Sequence, residues 1–238
     1  MHNKHLEKIL FLDIETVAEF ASFEQVPPRK QALWKKKSVF LRDAQEKTPE
    51  ELYGQAGIYA EFGKIVCIAV GYFHIQDGNS ELRIKAFSSD SELDLLKGFA
   101  GMIDQYFNST DTILCAHNGK EFDFPYIARR LLIHQIPLPK PFQIAGKKPW
   151  EVKHEDTMEF WKFGDYKNFT SLDLLATLFQ VESSKSDIDG SMVNHVYYQE
   201  EDLPRITEYC KRDVAVLAQV YLKLTQVKDM ENLEIKLL

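Results

Sequence analysis

Cysteine is scarce in this chain of 238 residues, which contains only Cys67, Cys115 and Cys210. An odd count without a C-x-x-C pair argues against a disulfide framework and against a structural zinc site. We therefore expect three reduced thiols in the core, where free cysteine is most often found.

Long apolar runs are also lacking near the amino terminus, where the first is Ile-Leu-Phe-Leu at residues 9–12. Such a run is too short for the hydrophobic region of a signal peptide and for a membrane-spanning helix. We therefore expect a cytoplasmic protein with no membrane partner.

Basic residues are not in excess, since 29 Lys and Arg stand against 36 Asp and Glu, for a net charge of −7. This balance argues against a protein that coats nucleic acid non-specifically. It is compatible with an enzyme that binds a polyanion through metal ions, because bound cations reverse the local sign of a carboxylate cluster. The length fits one domain, expected over residues 1–238.

Short apolar stretches alternate with amphipathic ones along the chain, which predicts an α/β domain. Strands are predicted at 8–13, 64–73, 82–87 and 112–116, with an Asp-Gly hairpin turn at 77–78. Helices are predicted at about 91–107, 124–134, 171–179 and 203–224. This order indicates a mixed β-sheet flanked by helices on both faces.

Two segments interrupt this pattern. Residues 17–60 contain a Pro-Pro pair and a Lys-Lys-Lys run, and are interpreted as a helical or irregular insert. Residues 181–202 are polar and are predicted to form a mobile loop.

The first strand is followed by Asp13-Ile14-Glu15. Side chains at i and i+2 of a strand share a face, and ligands bind at strand ends in α/β sheets, so Asp13 and Glu15 can converge on one ligand. The same spacing occurs at 90–92 and 229–231, where no apolar strand precedes it. Taken alone, the pair is better explained as solvated acids that cap a strand.

A second segment, residues 117–123, joins a buried strand to a helix. Asp123 is either an ordinary acid stabilised by the helix dipole or a third metal-facing carboxylate. In the second interpretation Asn118 and Phe122 line a nucleotide site by hydrogen bonding and stacking. His117 is either a phosphate contact or a structural histidine with satisfied nitrogens.

The third segment lies in the last helix, where Tyr209 and Asp213 are separated by four residues and so share a face. A half-buried tyrosine beside a surface acid is the alternative. A second Tyr-x-x-x-Asp at 198–202 stands in a polar stretch before Pro204 and is a poor helix candidate.

Four acids on three elements suit two divalent cations. Oxygen ligands select Mg²⁺ or Mn²⁺. Two such ions about 4 Å apart form the clamp used for in-line attack on phosphodiesters.

The three segments resemble the motifs of the DEDD superfamily of 3′→5′ exonucleases. They are similar to stand-alone relatives of the proofreading exonuclease domain of B-family DNA polymerases, over residues of about 8 to 225. Tyr209 stands where the tyrosine subtype has its tyrosine, and Glu208 occupies the histidine position of the other subtype. The resemblance implies a ribonuclease-H-like fold.

The resemblance also implies roles for the site residues. Asp13 would bind both metal ions, Glu15 and Asp213 would hold the ion that carries the attacking water, and Asp123 would support the second ion. Tyr209 would orient that water together with Glu15. The implied reaction is removal of nucleoside 5′-monophosphates from the 3′ end of single-stranded DNA, mainly by positioning and charge stabilisation.

Two other functions fit the same residues. One is an exoribonuclease of the same superfamily, because the choice depends on a 2′-hydroxyl contact that no residue reports. The other is a non-catalytic nucleic-acid-binding module, or an adaptor whose acids are surface charge. The chain contains no polymerase or helicase region, so such an activity would come from an unknown partner.

Overall fold

A mixed β-sheet organises the described part of the chain, which in this computed structural model comprises residues 2–76, 79–165, 169–182, 188–227 and 233–238. Within these residues the strand order is β5-β4-β1-β2-β3-β6. The strands are β1 (Ile9–Ala18), β2 (Gly63–Gln76), β3 (Asn79–Ser88), β4 (Ile113–Ala116), β5 (Glu155–Asp156) and β6 (Leu233–Leu237).

Helices pack on both faces of this sheet. They are α1 (His2–Leu6), α2 (Pro28–Ser38), α3 (Glu92–Tyr106), α4 (Asp123–Ile133), α5 (Thr157–Lys162), α6 (Leu172–Phe179), α7 (Val193–His195) and α8 (Leu203–Leu224). Short 3₁₀ helices span Phe23–Gln25, Glu51–Ile58, Lys140–Phe142 and Pro149–Glu151, and a π-helical turn spans Val196–Glu200. None of the described helices is long and apolar enough to cross a membrane.

Strand β1 lies inside the sheet and separates the two cores. Its side chains alternate, so Ile9 and Phe11 pack against α8 while Leu10 and Leu12 pack against α3 and α4. The first core includes Tyr221, whose ring is 5.2 Å from that of Phe11. The predicted mixed sheet with helices on both faces is therefore confirmed.

The prediction that the first strand ends near Asp13 is wrong. Strand β1 continues to Ala18 because the 14-residue strand β2 offers it antiparallel backbone partners along its whole second half, from Asp13↔Ala69 to Ala18↔Gly63. Its other neighbour, β4, runs parallel and pairs only as far as Phe11↔Cys115. Beyond Phe11 this edge of β1 is no longer covered by β4.

Residues 19–62, which connect β1 to β2, are called the insert below. They contain α2 and the 3₁₀ helices Phe23–Gln25 and Glu51–Ile58. The insert has its own small core around Trp34, whose ring packs at 90° against Tyr53. The Trp34 indole N–H donates to the Pro49 carbonyl at 2.7 Å, which satisfies the one polar atom of this buried side chain.

A buried ion pair anchors the insert to the main sheet. Arg130 of α4 donates through two nitrogens to the Glu92 carboxylate and through Nη1 to the Ala60 carbonyl at 2.8 Å. Glu92 also accepts from the backbone N–H of Ile65 at 2.7 Å and contacts His134 Nε2 at 2.7 Å. Residues 90–92, which share the D-x-E spacing of the first motif, thus have a structural role.

The polar stretch 181–202 is not a mobile loop where the structure describes it. Residues 193–200 form α7 and the π-helical turn, and they dock on the end of β1. Asn194 Oδ1 accepts from the Ala18 N–H at 2.9 Å, and the Tyr198 hydroxyl donates to the Ala18 carbonyl at 2.7 Å. The second Tyr-x-x-x-Asp stretch is likewise structural, since Asp202 caps α8 by accepting from the Arg205 N–H.

Three further outcomes concern single elements. Strand β6, which pairs parallel to β3, is not predicted from the sequence. The Asp-Gly turn at 77–78 and the acids at 229–231 lie outside the described residues, although Gln76 and Asn79 pair on either side of the turn. The three cysteines are buried and free, as expected.

Candidate active site

A pocket of about 520 Å³ opens where β4 stops and β1 continues. Its floor is formed by residues 13–16 of β1 and by Tyr209 and Asp213 of α8. One wall is the end of the insert, between Gly54 and Ile58, and another comes from residues 190–194, before and within α7. Phe122, just before α4, completes the lining.

The first pair of acids lies within β1 and not at its end. Ile14 points into the core beneath α3 and α4, so Asp13 and Glu15 on either side of it face α8. Glu15 pairs across the strands with Cys67 of β2, and a β-bulge follows between Glu15 and Thr16. The pair is still next to a strand end, because the parallel neighbour β4 has stopped.

Helix α8 brings Tyr209 and Asp213 over this pair. They are one turn apart on this helix, so the Asp213 carboxylate lies beside the Tyr209 phenol. Between them, the Cys210 thiol lies 3.3 Å from Asp13 Oδ2 and 3.4 Å from the Asp13 carbonyl oxygen. The thiol donates to Asp13, so Cys210 contacts the candidate site as well as packing in the core.

Asp123 approaches the same cluster from behind the pocket. It is the first residue of α4 and is only 4% exposed. Its charge raises the pKa of both Asp13 and Glu15, which places its carboxylate close to theirs. The four predicted carboxylates therefore converge, with three lining the pocket and Asp123 beneath it.

Burial and mutual repulsion raise the pKa values of these carboxyl groups. For Asp13 and Glu15 burial is the main cause. The charge of Glu15 and then that of Asp213 raise the pKa of Asp13 further, and the charge of Asp213 does the same for Glu15. Burial also raises the pKa of Asp123, to about 7. The Tyr209 phenol, buried beside Asp213, has its pKa raised above its usual range and so stays protonated.

This arrangement fits divalent cations. One carboxylate oxygen each from Asp13 and Glu15 and the Cys210 sulfur all lie within 4.8 Å of one another. The thiol already donates its proton to Asp13, so the donor set left for a cation consists of carboxylate oxygens, which suit hard ions. A bound cation would also relieve the repulsion that raises these pKa values.

Of the three predicted substrate-binding residues, only Phe122 lines the pocket, whereas His117 and Asn118 do not. Phe122 lines the pocket, with its ring 5.4 Å from that of Tyr126. His117 does not line it, and both ring nitrogens have protein partners, Thr157 Oγ1 at 2.9 Å and the Thr170 carbonyl at 2.8 Å. Burial lowers the pKa of His117. The geometry favours the structural alternative for this histidine, and its phosphate contact stays a prediction.

Asn118 serves the turn that follows β4. It adopts a left-handed conformation with φ of 65°, and its backbone N–H donates to Asp156 Oδ1 at 2.9 Å. Asp156 also accepts from the Lys120 N–H at 3.2 Å and from Met158 N at 3.0 Å, which caps α5. The sequence reasoning missed this anchor, although an Asp directly before a helix is a capping signal. The substrate contact of Asn118 stays a prediction.

The two walls of the pocket contain none of the predicted site residues, although the Asp-Ile-Asp-Gly stretch at 187–190 can be interpreted from the sequence as a substrate loop or as a solvated connection. Gly54 and Gln55 come from the insert, whereas Gly190 and Ser191 precede α7. Neither segment carries a motif, and only the fold brings them to β1.

A mixed sheet covered by helices on both faces, with acids from its inner strand and two helices at one edge, defines a ribonuclease-H-like protein with a carboxylate-rich site. The chain belongs to a family described as a predicted 3′-5′ exonuclease related to the exonuclease domain of PolB, whose model matches residues 58–235. That match includes Asp123, Tyr209 and Asp213, and it begins after Asp13, Glu15 and α2.

Among solved structures, the family B DNA polymerase from the hyperthermophilic archaeon Pyrobaculum calidifontis is similar, with a TM-score of 0.55 and 17% identity. The likeness covers 91% of this chain and 24% of the polymerase chain. At this identity it shows the fold, and this chain spans about a quarter of the polymerase. No curated protein matches the chain.

Proposed function

We propose that this protein is a metal-dependent 3′→5′ exonuclease that hydrolyses the terminal phosphodiester of single-stranded DNA and releases nucleoside 5′-monophosphates. The observation that carries the proposal is the meeting of Asp13, Glu15, Tyr209 and Asp213 in one pocket, with Asp123 buried behind it. Family membership supports the direction of cleavage.

The cofactors in this proposal are two Mg²⁺ or Mn²⁺ ions, held by Asp13, Glu15, Asp123 and Asp213. When bound, such ions act as Lewis acids and favour a hydroxide nucleophile near neutral pH. The chain contributes a set of oxygen donors whose repulsion disfavours the empty site.

Tyr209 acts as a hydrogen-bond donor and not as a base, because its raised pKa keeps the phenol protonated. From its place beside Asp213 it can orient a water molecule toward a phosphate at the pocket floor. Glu15, at the same floor, accepts a hydrogen bond from that water. These contributions are positioning and charge stabilisation, which is what phosphodiester hydrolysis asks of a protein.

The pocket also offers apolar contact for a terminal base. Phe122 and Ile58 lie on its lining, and Ile58 is 54% exposed. Stacking on an aromatic ring is tolerant of sequence, as an exonuclease requires. The partner in this proposal is therefore the 3′ end of a single strand, with RNA as the competing substrate.

Digestion of end-labelled oligonucleotides tests this function. With Mg²⁺ or Mn²⁺, single-stranded DNA labelled at its 5′ end should shorten stepwise from the 3′ end, and a 3′ label should be released as a mononucleotide. EDTA and Asp13→Asn should abolish both, whereas Asp104→Asn, at an exposed acid of α3, should retain wild-type activity.

An RNA oligomer of the same sequence decides the sugar preference in the same experiment. Faster digestion of RNA would replace DNA by RNA in the proposal. Release that begins at the 5′ end, or that survives both EDTA and Asp13→Asn, would contradict it.

A further inference from the structure

Helix α2 is strongly basic in an acidic chain. It carries Arg29, Lys30 and the run Lys35, Lys36 and Lys37, and it has no acidic residue. Lys30 pairs with Glu19, and Lys35 pairs with Glu50 at 3.2 Å. Within the described residues Lys36 and Lys37 form no ion pair, so two cationic charges remain uncompensated at the end of this helix.

The helix dipole accounts for only part of this pattern. Cations are favoured in the last turn of any helix, so one or two lysines there need no ligand. The dipole does not account for the apolar side chains beside them. Val39 is 61% exposed and Phe40 is 84% exposed, and only Ser38 separates them from the lysine run.

This basic end is continuous with the catalytic pocket. Lys37 Nζ lies 4.3 Å from the centroid of the Tyr59 ring. Tyr59 directly follows Ile58, whose half-exposed side chain lines the pocket. The path from the pocket therefore passes from an apolar side chain to an aromatic ring and then to a lysine, all within the insert.

Cations alternating with exposed apolar and aromatic side chains suit a single-stranded nucleic acid. Lysines bind the phosphates, and aromatic rings stack on bases without regard to sequence. A protein partner would need a larger apolar surface, and a duplex would not expose its bases to the open ring of Phe40. Charge complementarity and continuity with the pocket thus indicate that the ligand of this surface is the same DNA strand whose 3′ end enters the proposed active site.

We propose that the α2 surface, defined as Lys36, Lys37, Phe40, Ile58 and Tyr59, binds the segment of single-stranded DNA on the 5′ side of the scissile nucleotide. The inference rests on the proposed function, because the pocket at the end of this surface is the catalytic one. The family match begins at residue 58, so α2 lies outside the matched residues.

Two charge-reversal variants test the surface. In the first, Lys36→Glu and Lys37→Glu are combined. The matched control combines Lys97→Glu on α3 with Lys223→Glu in the last turn of α8, which changes the net charge equally at exposed sites outside the pocket lining. Binding is measured by fluorescence anisotropy of a labelled single-stranded dodecanucleotide with Ca²⁺ in place of Mg²⁺.

The first variant should bind roughly tenfold more weakly, and its salt dependence should fall by about 1.4 in the slope of log K against log salt, for two lost phosphate contacts. The control should keep a Kd within about twofold of the wild type. The neutral double variant Lys36→Gln and Lys37→Gln should also raise the Kd, but by less. It is used in place of the charge-reversal variant if that variant has a lower melting temperature than the wild type.

Hydrolysis gives a second readout. The ratio of kcat/KM for the dodecanucleotide to that for a dinucleotide should fall in the first variant and not in the control. Equal Kd values for the first variant and the wild type, or equal losses in both variants, would overturn the inference. If the wild type cleaves neither substrate, the proposed function fails, and the binding difference between the two variants still decides whether α2 binds the strand.

Discussion

The Tyr209 phenol lies beside the Asp213 carboxylate one helical turn further along α8, and burial together with the charge of Asp213 raises the pKa of this phenol above its usual range. Tyr209 is the one predicted catalytic residue that is not acidic, and it lies next to a predicted metal ligand. The two side chains differ in their proposed roles. The protonated Tyr209 phenol can donate a hydrogen bond, whereas the Asp213 carboxylate can supply oxygen ligands to a cation.

Replacement of Tyr209 by Phe should lower the single-turnover rate on single-stranded DNA roughly 10²-fold, as expected for the loss of one positioned polar group. Substrate affinity and fold should change little. Asp213→Ala should be more damaging because it removes a cation ligand. Tyr106→Phe, at an exposed tyrosine, is the control. A Tyr209→Phe enzyme as fast as the wild type beside an inactive Asp213→Ala would refute the tyrosine role and leave the metal site intact.

Divalent cations should raise the melting temperature, because ions that bind only the folded state stabilise it by linkage. Mg²⁺ or Mn²⁺ should do so in the wild type and in Asp104→Asn, and most of the gain should vanish in Asp13→Asn. Differential scanning fluorimetry over a series of metal concentrations measures the effect. An equal gain in Asp13→Asn would show that the ion binds elsewhere.

Without metal, the Asp123 carboxyl should make stability depend on pH. Burial raises its pKa from 3.8 to about 7, so the folded protein keeps a proton that the unfolded chain releases. The stability that this group contributes is therefore complete below about pH 4 and is lost as the pH rises through about 7.

In EDTA, the difference in unfolding free energy between the wild type and Asp123→Asn should thus fall across this window by up to several kcal/mol, since each pKa unit corresponds to about 1.4 kcal/mol. Urea denaturation at a series of pH values measures it. Mg²⁺ should flatten the dependence. A difference that rises with pH would mean that Asp123 is ionised in the metal-free fold.

The buried pair Arg130–Glu92 should matter for stability far more than surface pairs do. Arg130→Met leaves the Glu92 charge buried and the Ala60 carbonyl without its donor, and it should cost about 3–5 kcal/mol. Lys47→Met, which breaks the exposed pair with Asp43, should stay within about 0.5 kcal/mol. Urea denaturation compares the two, and similar small losses would show that the buried pair does not hold the insert in place.

Part of the candidate site could be predicted from the sequence, because the spacing of two residues within one strand or helix determines whether their side chains share a face. Asp13 and Glu15 face the same way because a strand has a period of two, and Tyr209 and Asp213 do because four residues make about one helical turn. Burial of the cysteines was predictable for another reason, because free cysteine behaves as a small apolar side chain.

What the sequence by itself determined is therefore the chemistry: which side chains are acidic, which elements carry them and which face each one shares. Only the tertiary structure decided the length of β1, the structural role of His117 and the walls of the pocket. Asn194 contacts the backbone of Ala18 across 176 residues, and the insert reaches the pocket only after packing around Trp34. No local period encodes such contacts, because their free energy comes from burial and hydrogen bonding between segments that meet only in the folded chain.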